Sequence, residues 1–200
     1  MVALATVLCL FTIGFRLMAF GGSVTLCGML PMVVLGYRRG IKWGVGAGIV
    51  FGAIQLLFLG GLGDLKWLAP AAIVPCIVLD FILAFGVLGL SGVYKNKLKP
   101  APAVAAGSIT ALLLRYLCHF ISGVLIWGSY GQSFFEEGGD GAALGGWVLG
   151  HFSGWGIACI YSAIYNALYM IPEIIITTAA AVILFYSMPK ILNGGRPLEN

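Results

Sequence analysis

About six apolar runs dominate this chain, at residues 2–20, 24–37, 43–62, 67–93, 101–127 and 157–188. A helix needs about 20 residues to cross the hydrocarbon core of a bilayer, and most of these runs reach that length. A soluble globule cannot hide so much apolar surface: 60% of the residues are hydrophobic, 9% are charged and the mean hydropathy is +1.03. The chain therefore reads as a single membrane-embedded domain over residues 1–200, all-α and polytopic. Lipid offers no partner to unpaired backbone groups, and the alternating pattern of a barrel strand is missing. The second run is short for a span and reads as tilted or partly looped.

Basic residues cluster between alternate runs: Arg38, Arg39 and Lys42 after the second, Lys95, Lys97 and Lys99 after the fourth, Lys190 and Arg196 after the last. Positive charge marks the cytoplasmic side, so six spans place both termini in the cytoplasm. The stretch 128–156, with Glu136, Glu137 and Asp140, then lies outside, as do Asp64 and Lys66. The formal net charge of +4 follows from this bias and indicates no nucleic-acid surface. Residues 141–188 are long enough for two spans, but Lys190 and Arg196 argue against an external C-terminus. Glycines 141, 145, 146, 150, 154 and 156 make 141–156 a poor helix and a better re-entrant or surface loop. The first run has no basic leader, so no cleaved signal peptide is expected. Cysteines 9, 27, 76, 118 and 159 sit singly in apolar segments without metal-type spacing, and read as small packing residues.

Within the fourth run stands Asp80. A charge at the centre of a membrane helix costs roughly 2.5–3.5 kcal/mol on insertion scales, so such a residue faces a partner, a cavity or a ligand. The fifth run carries Arg115, His119, Gly123 and Trp127, spaced by four on one slowly drifting stripe. The sixth carries Tyr161, Asn166, Tyr169 and Glu173, the last three sharing a face. Bland readings stand beside these. Arg115 snorkels or pairs with Asp80 or Glu173 as packing glue, and His119 is a satisfied core histidine. Trp127 anchors at the interface, Tyr165 and Tyr186 are belt residues, and Glu173 answers the kink at Pro172. Convergence of an acid, a base, an amide and aromatics from three runs favours an interior pocket. Such a pocket suits a flat, cationic heterocycle, through charge pairing and cation–π contacts worth roughly 0.5–2 kcal/mol each.

Catalytic readings fit less well. Gly60-Gly61-Leu62-Gly63-Asp64-Leu65-Lys66 does not supply the G-x-x-x-x-G-K-[ST] pattern of a nucleotide-binding loop. An intramembrane serine protease would use Ser122 or Ser153 with His119 or His151, but each serine lies within three residues of its histidine and the G-x-S-G motif is absent. Asp80 and Glu173 would also serve a stand-alone secondary transporter as proton carriers.

Four stretches in order resemble one known family. They are Gly21-Gly22-Ser23-Val24-Thr25-Leu26 with Met29-Leu30-Pro31 and Arg38-Arg39-Gly40; Leu79-Asp80-Phe81-Ile82-Leu83-Ala84-Phe85-Gly86; Arg115 to Gly123 with Trp127; and Tyr161 to Asn166 with Tyr169-Met170-Ile171-Pro172-Glu173. Together they are similar to the thiamine-specific substrate-binding (S) components of energy-coupling factor transporters. That resemblance implies a six-helix S-component fold in a bacterial cell membrane. It also implies thiamine as ligand, a transmembrane coupling protein and two ATPase subunits as partners, ATP used only by those subunits, and no cofactor or catalysis in this chain. It places Asp80 on the aminopyrimidine, His119 and Trp127 on the rings, Tyr161 and Asn166 at polar positions of the last helix, Arg115 at a basic position, and Gly123 where the ligand approaches closely. Phe81, Tyr169 and Glu173 complete the expected substrate-binding set. Small residues four apart on the first helix, here Ala5 and Cys9, imply the partner interface. A different vitamin or a thiamine precursor would use the same fold with a changed pocket. Some members carry Glu at the Asp80 position, Tyr at the Phe81 position and a tryptophan near Gly21 and Gly22, and the stretch 128–156 is longer here than the family implies.

Overall fold

The computed structural model describes residues 1–10, 24–59, 61–137 and 139–188. Gly21, Gly22, Lys190, Arg196 and the second half of the first apolar run lie outside the described residues. Among the described residues the regular structure is helical, with no strand. The helices are α1 (Val2–Leu10), α2 (Leu30–Arg39), α3 (Ile41–Phe58), α4 (Gly61–Leu65), α5 (Pro70–Gly92), α6 (Pro100–Leu125), α7 (Gly131–Phe135), α8 (Ala142–His151) and α9 (Trp155–Ser187). Four of them, α3, α5, α6 and α9, are long and apolar enough to cross a membrane.

Local chemistry sets the helix ends. Pro70 and Pro100 open α5 and α6, where a missing N–H costs nothing, and the residues before them, Ala69 and Lys99, are extended. Gly40 alone separates α2 from α3. Its φ of 90° lets the chain reverse within one residue, which a side chain would resist.

The exposure pattern inverts that of a soluble protein. On α6, Leu113, Leu117, Ile121 and Leu125 form an exposed stripe at four-residue spacing, while Arg115 and Ser122 point inward and are buried. On α9, Leu168, Ile171, Ile175 and Ile183 face out, and Asn166, Glu173 and Thr177 face in. Apolar side chains turned outward and polar ones inward are what a lipid environment selects. This is a membrane protein.

Helices α6 and α9 share an extensive interface, and α2, α3 and α6 pack on the last turns of α5. Where α3 meets α5 the backbones nearly touch. A Cβ on Gly48 would lie 2.3 Å from the Phe85 carbonyl oxygen, and one on Gly52 would lie 2.1 Å from that of Phe81. Small residues permit this approach, and close packing replaces the hydrophobic drive that lipid removes.

Residues 141–156 do not remain a loop: Ala142–His151 is helix α8. Each glycine costs about 1 kcal/mol in a helix, but here packing decides. A Cβ on Gly145 would sit 1.9 Å from the Phe135 carbonyl oxygen, so Gly145 is what lets α8 lie against α7. Phe134, Phe135 and Val148 from this pair bury against Tyr161 and Tyr165 of α9.

Candidate functional site

Asp80 sits in an irregular part of α5. Pro75 lies inside the helix and lacks the N–H that would bond four residues back, and residues Ile77–Leu83 then form a π-helical stretch. Wide turns of this kind interrupt α-helices frequently at functional sites. Asp80 lies within the stretch, with its side chain 15% exposed.

Three groups surround the Asp80 carboxylate. His119 Nδ1 is 2.8 Å from Oδ1; the Ser122 hydroxyl donates to Oδ2, and the Cys76 thiol, one turn earlier on α5, lies 3.3 Å from the same oxygen. Arg115 Nε–H donates to His119 Nε2 at 3.2 Å. With Nε2 accepting, the imidazole proton sits on Nδ1 and donates to Asp80, so a neutral His119 satisfies both neighbours. Buried Arg115 also reaches Met29 Sδ and lies 4.2 Å over the Phe85 ring. Its guanidinium bonds His119 and Met29 and makes no ion pair with Asp80 or Glu173 among the described residues.

Helix α9 closes the other side. Asn166 Nδ2 donates to the His119 carbonyl at 3.3 Å and to the Ser162 carbonyl at 2.8 Å, and Tyr169 donates its hydroxyl to Asn166 Oδ1. The Tyr169 ring stands edge-on to His119, 6.0 Å away. From there a ladder of rings climbs α9, Tyr169 to Tyr165 at 6.4 Å and Tyr165 to Tyr161 at 5.3 Å, up to Phe134. Trp127 packs at the edge of this aromatic cluster, 5.9 Å from Tyr130. Tyr165, expected in an interfacial belt, is buried within the ladder; Tyr186 is 69% exposed.

Several candidates land elsewhere. Gly123 is needed for helix packing: a Cβ there would lie 2.1 Å from Ser162 Oγ on α9. Phe81 turns away from Asp80, as successive helical residues must, and its ring lies against Gly61 at the start of α4. Glu173 is 2% exposed and bonds Thr25 and Thr177 instead of answering the Pro172 kink. Ala5 is fully buried beside Met29 and Phe51, and Cys9 accepts from Gln55 Nε2 at 3.3 Å, so the small-residue face of α1 packs inside the chain. Leu4, Val7 and Leu10 form the outward face of α1. A groove of about 590 Å³ opens between α1, α2 and α3, lined by Val2, Leu35, Arg39, Trp43, Gly46, Ala47 and Val50, and by none of the candidate residues.

Ser122 donates to Asp80 and not to His119, whose two ring nitrogens are engaged by Asp80 and Arg115, so no serine–histidine dyad forms there.

The family model described as thiamine transporter protein (Thia_YuaJ) matches residues 1–134, which include Asp80, Arg115, His119 and Trp127. The chain belongs to the thiamine transporter protein family. Over 98% of its length it is 30% identical to the thiamine transporter ThiT of Bacillus subtilis strain 168, covering 92% of that protein. It is 33% identical to ThiT of Lacticaseibacillus paracasei over 52% of this chain and 54% of that one. The solved structure of ThiT from Listeria monocytogenes shares the fold, with a TM-score of 0.67, 24% identity, and 96% and 92% of the two chains covered. This thiamine transporter family is one of transporters, not of enzymes.

The sequence offers Ser122 only as a protease nucleophile, Thr25 and Met29 only as part of a family motif and Cys76 only as a packing residue, none of them as a partner of the polar cluster. Ser122 and Cys76 were within reach of helical spacing, lying three and four residues from His119 and Asp80. Thr25 and Met29 carried no such signal, because their partners are more than 80 residues away along the chain.

Proposed function

We propose that this chain binds thiamine and is the substrate-specific S component of an energy-coupling factor importer in a bacterial plasma membrane. Six spans put both termini in the cytoplasm, with residues 128–156 on the outer side. A transmembrane coupling protein and two ATPase subunits complete the transporter, and ATP is hydrolysed by those subunits alone. The observation that carries this reading is the largely enclosed Asp80–His119 pair, on α5 and α6, in a chain of the thiamine transporter family.

The chemistry of the ligand suits that pair. Thiamine joins an aminopyrimidine, which offers an N–H₂ donor, to a cationic thiazolium ring. Asp80 accepts from the amine, the ladder Tyr169–Tyr165–Tyr161 and Trp127 offer faces for the rings, and Asn166 contributes a directional polar group. The cluster holds two carboxyl groups, Asp80 and Glu173, against one guanidinium, Arg115, so with both ionised and His119 neutral a bound cation restores neutrality.

Calorimetric titration of the detergent-purified protein tests this, using thiamine, its separate pyrimidine and thiazole halves, and riboflavin and biotin as controls. Tight binding of thiamine alone is expected. Tight binding of the pyrimidine half alone would replace thiamine by a precursor, and silence toward every thiamine-related ligand would remove the substrate assignment. A second expectation concerns His119. His119→Ala deletes a partner of Asp80 and of Arg115 at once and weakens thiamine binding about tenfold or more. Cys118→Ala, one position away on another face of α6, changes affinity by less than about twofold in the same titration.

A further inference from the structure

Glu173 is buried, and both of its oxygens are directed at one residue of a distant segment. Thr25 N–H donates to Oε2 at 2.9 Å and the Thr25 hydroxyl donates to Oε1 at 2.9 Å. Thr177, one turn further along α9, adds a bond of 3.4 Å to Oε1. The Thr25 oxygen in turn accepts from Gly28 N–H at 3.2 Å, and Leu30 N–H bonds the Cys27 carbonyl. Glu173 thus anchors a compact turn, within which Cys27 has φ of 59°, a left-handed conformation that non-glycine residues adopt at a cost.

The same turn is held a second time, from α6. Arg115 donates to Met29 Sδ while its Nε bonds His119, whose other nitrogen faces Asp80. Residues 25–29 are therefore fixed by an acid from α9 and a base from α6, and the base shares its histidine with the binding carboxylate.

We propose that Glu173 is a positioning residue and not a ligand contact. Resting on the thiamine reading above, its role is to fix residues 25–29, so that Met29 keeps Arg115, and Arg115 keeps His119, in the orientation the ligand needs. A carboxylate with both oxygens already on Thr25 does this without touching the ligand. Loss of the anchor frees the turn, relaxes its left-handed residue and lets Arg115 turn away from His119, at the expense of a preorganised site.

The test has one readout that needs no ligand. Cys27 lies in the anchored turn, and its alkylation by a maleimide, followed by peptide mass spectrometry on the full-length protein without thiamine, reports how tightly the turn is held. Glu173→Ala and Thr25→Val are each expected to raise that rate about tenfold, with Glu173→Gln, which keeps one acceptor oxygen, in between. The second readout is thiamine dissociation in a double-mutant cycle. Glu173→Ala and Thr25→Val each accelerate release, and the double variant is no faster than the faster single one, because both remove the same anchor. An unchanged Cys27 rate in all three variants overturns the proposal. So do fully additive effects on release, which would mean that Glu173 meets the ligand directly. A wild-type protein that ignores thiamine while Cys27 still responds to Glu173→Ala would remove the substrate and leave the anchor standing.

Discussion

Asp80→Asn is expected to leave a folded protein whose thiamine affinity falls roughly 30-fold or more, since losing one partner of a buried, hydrogen-bonded charge pair costs about 2–5 kcal/mol. The fold survives because asparagine can satisfy the same neighbours. Its Oδ1 accepts from His119 Nδ1, and its amide donates to Ser122, whose hydroxyl hydrogen is free to rotate. What disappears is the negative charge facing a cationic ligand. The measurement is a thiamine titration of both proteins, paired with thermal melting in detergent. Undiminished affinity in a variant with an unchanged melting temperature would move the ligand away from Asp80. Weakened binding with an equal loss of stability would reduce Asp80 to a packing role.

The second large effect concerns the fold beneath the site. Gly52→Leu places a side chain where the Phe81 carbonyl oxygen lies 2.1 Å from the ideal Cβ, and backbone atoms cannot move aside as a flexible side chain would. Helices α3 and α5 must separate, and α5 carries Asp80. Overpacking of this kind costs roughly 1–3 kcal/mol or more, which for a protein of this size lowers the melting temperature by roughly 2–12 °C, and the upper end is expected here. Gly46→Leu is the control, because a Cβ at Gly46, on the same helix, meets nothing within 4 Å. It should melt within about 2 °C of the parent. Equal melting of both variants would mean that the α3–α5 contact is not what holds α5 in place.

These two glycines also mark the limit of reading the chain alone. Both sit in the same apolar run, and nothing local tells Gly46 from Gly52; only the approach of α5 makes one dispensable and the other not. The same holds for Gly123, where the family resemblance implies close approach of the ligand and where the structure shows the missing side chain making room for Ser162. Ala5 and Cys9 show the converse. Their spacing suits an external partner, yet the neighbouring turn and α3, offering Met29, Phe51 and Gln55, take up that face. Residues 141–156 read as a loop in sequence because glycine propensity is a local cost of about 1 kcal/mol, whereas the fit of Gly145 against Phe135, which makes 142–151 helical, is a non-local gain.

What the sequence determined by itself is everything that follows from transfer into lipid. Long apolar runs required helices that satisfy their own backbone, and the expense of burying charge drew Asp80, Arg115, His119, Asn166 and Tyr169 together in the interior. Which partner each polar group takes was decided only by tertiary structure. Arg115 sits on His119 and Met29, not on an acid; Glu173 holds Thr25; and Tyr165 joins a buried ladder in place of an interfacial belt. Lipid cost acts on each residue singly and can be summed along a chain. A hydrogen bond depends on the relative placement of two helices, and that placement is set by close-packed contacts, such as those of Gly48 and Gly52, between residues far apart in sequence.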